Sequence, residues 1–117
     1  MSRLRLLGVS LLAVALLVPA AVAAVRGAGH EPGGSRRHDV DIRAFGFRPT
    51  RIAASPGDSV AWTNHDLVPH TATSKEGAWD SGSIAPGGTW ILVVPPGGAG
   101  EYLCSFHPLM TGSLAGS

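Results

Sequence analysis

From residue 38 onward, apolar and polar positions alternate in short runs separated by turn-forming residues. Val40 and Ile42, with Ala44 beyond them, alternate with Asp39, Asp41 and Arg43, the period of two that marks a half-buried β-strand. FGFRP follows, then Arg51 to Ala54, and SPGD supplies a Pro-Gly turn. Val60 and Trp62 share one face of DSVAWTN, and PHTATS carries β-branched threonines at alternate positions. SKEGAWDSGS reads as a loop and APGG as a turn, and TWILVV is the most apolar strand of the chain. PPGGAG turns the chain into EYLC, where Tyr102 and Cys104 share a face, and TGSLAGS predicts a short closing strand.

No segment after the N-terminus keeps a helical period. Short strands with turns every 8 to 12 residues or so predict an all-β sandwich or barrel. A domain of residues 38–117 is small for that architecture, so a bound metal would add to the stability of a limited core.

The first residues follow a different pattern. Two arginines lie in Met1 to Arg5, Leu6 to Val18 is an uncharged apolar run, and Pro19 precedes AAVAA. This order is that of a secretory signal peptide, with Ala21-Val22-Ala23 as the A-x-A cleavage site and residues 1–23 as the leader. The rival is an uncleaved anchor helix through residues 6–25, which approaches the roughly 20 residues needed to span a bilayer. Both readings export the domain, to the periplasm or outside the cell, and only the second ties it to a membrane. Residues 24–37 mix Gly, Pro, Ser and charge without an apolar period and read as a flexible linker.

Charge and cysteine usage sharpen the picture. Without the leader, seven basic side chains face eight acidic ones, a formal net of −1. No basic patch remains to recruit nucleic acid. Cys104 is the only cysteine of the chain, and a lone thiol in an oxidising compartment calls for a metal or an intermolecular bond.

The stretch CSFHPLM places Cys104 three residues before His107 and six before Met110. A thiolate, an imidazole and a thioether are soft to borderline ligands that suit copper in either oxidation state and suit calcium or magnesium poorly. Structural zinc sites favour several cysteines or histidines, so Met110 counts against zinc. A fourth ligand is available in His70, within NHDLVPHTATS at the start of a strand, because sequence-distant strands of a Greek-key sandwich end at one pole. Two histidines and a cysteine in a plane with a long axial methionine is the geometry of blue-copper electron-transfer sites. The five residues after Cys104 form a short loop stiffened at Pro108, which limits ligand movement when the metal changes charge.

DSVAWTNHDLVPHTATS, WDSGSIAPGGTW and EYLCSFHPLMTGS together resemble the cupredoxins of the plastocyanin and amicyanin type, with the short C-x-x-H-x-x-M ligand loop of the amicyanins. The similarity runs from about Val40 to the C-terminus. It implies an antiparallel Greek-key β-sandwich, one type 1 copper ion at one end, and one-electron transfer as the protein's work. It implies His70, Cys104 and His107 as equatorial ligands and Met110 as the axial one. One departure is visible, since LAGS lacks the β-branched run that completes the last strand in the family, and a short or frayed strand is expected there.

Other residues have plainer readings. His65 lies in the polar turn TNHD and reads as solvated, as do His30 and His38 in or beside the linker. Trp62, Trp79 and Trp90 read as core packing rather than as an electron path. Thr71 is the expected backbone donor to the thiolate. Pro69, Pro108 and Leu109 flank the candidate ligands, and a redox partner is expected to dock weakly near His107, Pro108 and Leu109 on a monomeric domain. A copper carrier or sensor would use the same four ligands. An oxidase or nitrite reductase would need histidines for a second copper centre that this domain lacks, so an enzyme is not expected.

Overall fold

In the computed structural model residues 34–116 are described, so the leader at 1–23, most of the linker and His30 lie outside the described residues. Eight strands follow in order: β1 (Arg37–Arg43), β2 (Gly46–Arg48), β3 (Arg51–Ala53), β4 (Ser59–Asn64), β5 (Thr73–Ser74), β6 (Thr89–Val93), β7 (Gly100–Cys104) and β8 (His107–Ala115). They build two four-stranded sheets, ordered β2-β1-β4-β6 and β3-β8-β7-β5.

The all-β sandwich expected from the strand pattern is present, and its sheets are mixed. Pairings β1–β2, β4–β6, β5–β7 and β7–β8 are antiparallel, whereas β1 runs parallel to β4 and β3 parallel to β8. Parallel neighbours need a crossover, and the chain supplies one by leaving the first sheet after β2, adding β3 to the second, and returning as β4.

Alternation selects which side chains face inward. Val40 and Ile42 of β1, Phe47 of β2, and Val60 and Trp62 of β4 are buried from one side, and Tyr102, Cys104 and Leu114 from the other. Trp62 lies 5.5 Å from both Trp79 and Trp90 and meets Tyr102 edge-on at 5.4 Å, so the three indoles pack in one aromatic cluster. The Tyr102 ring in turn lies where a Cβ on Gly112 would have to be. Burial pushes the Tyr102 hydroxyl up to about 12.

The apolar segment TWILVV becomes β6 at a sheet edge, with Trp90 and Leu92 packed inward and Ile91 and Val93 exposed. The C-terminal strand corrects the expectation of a short or frayed end. β8 is nine residues long and reaches Ala115, paired with β7 on one side and β3 on the other. Leu114 supplies the inward anchor that a β-branched run would otherwise provide, at 1% exposure.

His38 is also corrected. It begins β1, and its Nε2 meets Asp58 Oδ2 at 2.9 Å with both side chains largely buried. Asp58 also accepts the backbone N–H groups of Arg36 and Ser55. Hydrogen bonds from the Arg36 amide, the His38 ring and the Ser55 amide hold the Asp58 carboxyl down at about 2. This carboxylate closes the start of β1 onto the start of β4, at the pole away from the ends of those strands.

Candidate metal centre

The opposite pole is built where β1 and β4 end and the β7–β8 hairpin turns. β4 finishes at Asn64, which is fully buried. Its amide Nδ2 donates to the carbonyls of Val68 and Ile84 at 2.8 and 3.0 Å, and its Oδ1 accepts the Asp66 N–H at 2.9 Å. Asparagine is suited to this because its side chain can mimic a backbone turn two residues on. The segment 64–70 is therefore folded around one side chain and delivers His70 to a defined place.

His70 is not at the head of a strand. It forms an isolated two-way bridge with Ile84, N–H to carbonyl at 3.2 Å and the return bond at 2.7 Å, and lies ahead of β5. Its ring is completely buried, and Nε2 meets Asp66 Oδ2 at 2.8 Å. That contact engages the outer nitrogen and leaves Nδ1 facing Cys104, the arrangement by which a carboxylate orients a metal-binding imidazole. Burial pushes the Asp66 carboxyl up, but the Phe45 and Ala44 amides and the His70 ring outweigh it and hold it below the usual carboxylate range.

Cys104 ends β7 with no exposed surface. The five-residue loop expected after it is a tight turn at Ser105-Phe106 followed at once by β8. Leu103 pairs with Thr111, yet Cys104 pairs with His107, so residues 108–110 bulge out of the ladder. A bulge is where proline is tolerated in a strand, because Pro108 has no N–H to give. The bulge leaves Pro108 and Leu109 exposed, Leu109 at 99%, and turns Met110 inward at 5%.

The hairpin and His70 bring three donors together. Cys104 Sγ lies 3.7 Å from Nδ1 of His70 and 3.7 Å from Nδ1 of His107, and all three donor atoms fall within 4.8 Å of one another. An ion about 2.0–2.3 Å from an imidazole nitrogen and a thiolate sulfur, seen at roughly 120°, separates those atoms by about 3.7–3.8 Å. The donors thus fit one metal ion, and a thiolate with two imidazoles beside a buried thioether selects copper. Met110 is buried within the same hairpin.

Around the thiol the bonding is dense. The Thr71 N–H donates to Cys104 Sγ at 3.3 Å, the bond expected from the sequence. Thr71 Oγ1 accepts the Ser105 N–H at 2.7 Å and meets the hydroxyls of Thr73 and Ser105 at 2.9 and 3.0 Å. One threonine therefore ties the segment carrying His70 to the turn that follows Cys104. His65 stands apart, with Nε2 on Asp41 Oδ1 at 2.8 Å and both side chains exposed.

Two residues of this pole are missing from the sequence reading. Asp66 binds His70, and its signal is the N-x-D pattern of an Asx-turn. Phe45 sets its ring edge-on against both imidazoles, at 5.3 Å from His70 and 5.0 Å from His107. Nothing local in AFGF announces that contact.

No protein-family profile matches the chain. Amicyanin-alpha of Methylorubrum extorquens is 28% identical over 107 residues, covering 87% of this chain and 86% of that protein. Among solved structures, an oxidised-state amicyanin mutant superposes with a TM-score of 0.61 at 20% identity, over 76% of this chain and 88% of that one. A purple cupredoxin from Nitrosopumilus maritimus gives 0.58 at 25% identity, over 68% and 99%. At such identities the superpositions speak for the fold, and the match to amicyanin-alpha runs over nearly the whole of both sequences. Taken with the cluster that His70 forms, among the described residues, with Cys104 and His107 of the short C-x-x-H-x-x-M hairpin, they support a likeness to the cupredoxins of the amicyanin type.

Proposed function

We propose that the protein is a blue copper electron carrier that passes single electrons between redox partners outside the cytoplasm, with His70, Cys104 and His107 as equatorial ligands and Met110 as the axial one. The observation that carries this reading is the placement of Cys104 Sγ at 3.7 Å from Nδ1 of both histidines. Copper held by this donor set supplies one reversible electron through its two oxidation states.

The chain's own residues account for the rest. Cys104 is held by a short turn and by the Thr71 amide, and His70 by Asp66 and the Ile84 bridge, so the donors change little in position when the charge at the site changes. Burial of His70 and Cys104 keeps water from both. His107 is only partly buried, which makes its imidazole edge the route by which electrons enter and leave. Leu109, Pro108, Pro69, Leu67, Val68 and Phe106 expose apolar surface at the same pole. An apolar rim of that kind suits a brief, small contact with a redox partner protein. Export by the leader at residues 1–23, or anchoring through residues 6–25, is compatible with the lone, buried thiol when a metal occupies it.

The test is to add Cu(II) to the purified protein and record visible and EPR spectra. An intense thiolate-to-copper band with a narrow copper hyperfine splitting is expected, and a colourless protein with an ordinary tetragonal signal would overturn the assignment. Rapid electron self-exchange is expected of the loaded protein; fast metal exchange with little self-exchange would mark copper delivery instead.

A further inference from the structure

The turn between β1 and β2 is two residues long, Ala44-Phe45, closed by the Arg43–Gly46 pair. Both residues have positive φ, 50° for Ala44 and 56° for Phe45. Two-residue hairpins of this twist use Asn-Gly or Gly-Gly, because left-handed backbone is disfavoured for a residue with a Cβ and most of all for a bulky one. The glycine of this segment is placed one position later, at Gly46. Phenylalanine therefore occupies the position where glycine would be cheapest, and burial does not explain it, since Phe45 is 55% exposed.

Its contacts do explain it. The three rings of Phe45, His70 and His107 form a near-equilateral triangle, with centroids 5.0, 5.2 and 5.3 Å apart. The two imidazoles flank Cys104 Sγ, and the Phe45 ring meets both edge-on. The turn is pinned there by one carboxylate, with Asp66 accepting the Ala44 N–H at 2.7 Å and the Phe45 N–H at 2.9 Å while it also holds His70 Nε2. Strained backbone persists where the surroundings over-determine it, and such outliers point toward function.

We propose that Phe45 is a positioning residue of the metal site, a fixed cover that closes the cleft between His70 and His107 and keeps water and small solutes from the Cys104 thiol and from any metal beside it. The proposal takes its metal from the functional reading above, but the closure itself is a property of the chain.

It makes an unusual demand on one variant. Phe45→Gly relieves the positive φ, so a residue of purely structural value would show no gain in access, whereas a cover would be lost from a turn that is no weaker. In the metal-free full chain, Cys104 of Phe45→Gly should react with iodoacetamide at least about tenfold faster than wild type, while the thermal unfolding midpoint stays level or rises. Phe45→Leu, which keeps apolar bulk, should restore most of the protection, and Leu67→Ala, at the same pole, should leave the rate unchanged. An unchanged rate in Phe45→Gly overturns the proposal, and so does a faster rate accompanied by a falling midpoint, which would make Phe45 a structural prop. After loading with Cu(II), azide should perturb the visible spectrum of Phe45→Gly at concentrations that leave wild type unaltered. Should wild type show no thiolate-to-copper band at all, the functional reading fails, and the alkylation rates still decide the role of Phe45.

Discussion

The backbone N–H of Thr71 donates to Cys104 Sγ across 3.3 Å, joining residues 33 apart in sequence. The same threonine accepts the Ser105 N–H through Oγ1 at 2.7 Å, so it grips the thiol and the turn that follows. Thr71→Val removes only the second grip. It leaves the Ser105 amide without its partner and should cost about 1–2 kcal/mol of stability. Denaturant unfolding measures that cost, and broadening of the copper band in the loaded protein would report the loosened turn.

Cys104 and Met110 should be separable by colour. Cys104→Ser should abolish the intense visible band, because the band belongs to the thiolate, whereas Met110→Leu should keep a coloured site with a changed reduction potential. Visible spectra and voltammetry of the two loaded variants check this; an intense blue band surviving in Cys104→Ser would sink the ligand assignment.

Gly112 lies under the Tyr102 ring, and a Cβ there would overlap the ring's Cζ, Oη and Cε1 atoms. Tyr102 is fully buried against Trp62, Trp79 and Phe47 and has nowhere to retreat. Gly112→Ala should therefore destabilise by about 1–3 kcal/mol, the usual cost of overpacking. A thermal melt of the metal-free protein reads it directly. Gly57→Ala is a different case, since nothing crowds a Cβ there and only its positive φ opposes the change.

Acid sensitivity should trace to Asp58. Its folded carboxyl is depressed from 3.8 to about 2 by the Arg36 amide, the His38 ring and the Ser55 amide. A depressed folded value contributes stability that is present above the unfolded value and is lost as pH falls through the folded one. Stability should accordingly drop as pH is lowered from about 4 toward 2, and Asp58→Asn should flatten that part of the profile. Urea midpoints measured across this window for both proteins test it, and identical profiles would remove Asp58 from the account.

Local sequence went far toward the site. The C-x-x-H-x-x-M spacing, the lone cysteine and the upstream Pro-His-Thr carry enough chemistry to nominate His70, Cys104, His107 and Met110, because ligand softness is a property of side chains and needs no coordinates. The alternation around Val40, Ile42, Val60 and Trp62 was likewise enough for an all-β sandwich, since period-2 burial follows from the pleat.

What local pattern could not supply was pairing at a distance. The parallel β1–β4 and β3–β8 ladders follow from the chain changing sheets, and the nine-residue β8 is stabilised by neighbours on both sides rather than by strand propensity in LAGS. His38, at the edge of the linker, reads as solvated from its local sequence, and only its contact with Asp58, 20 residues on, buries it.

The chain by itself determined which atoms can bind a soft metal, that strands carry them, and where three of the donors must lie together, because those depend on residue chemistry and short-range spacing. Only the tertiary structure decided that Asp66 aims the His70 ring, that Thr71 reaches Cys104, and that Phe45 covers both imidazoles from a strained turn. The Asp66 contact spans only four positions but needs the turn at Asn64 to be folded. The Thr71 and Phe45 contacts join residues 25 to 62 positions apart, and a distance of that kind is set by how the sheets pack, which no local run of residues encodes.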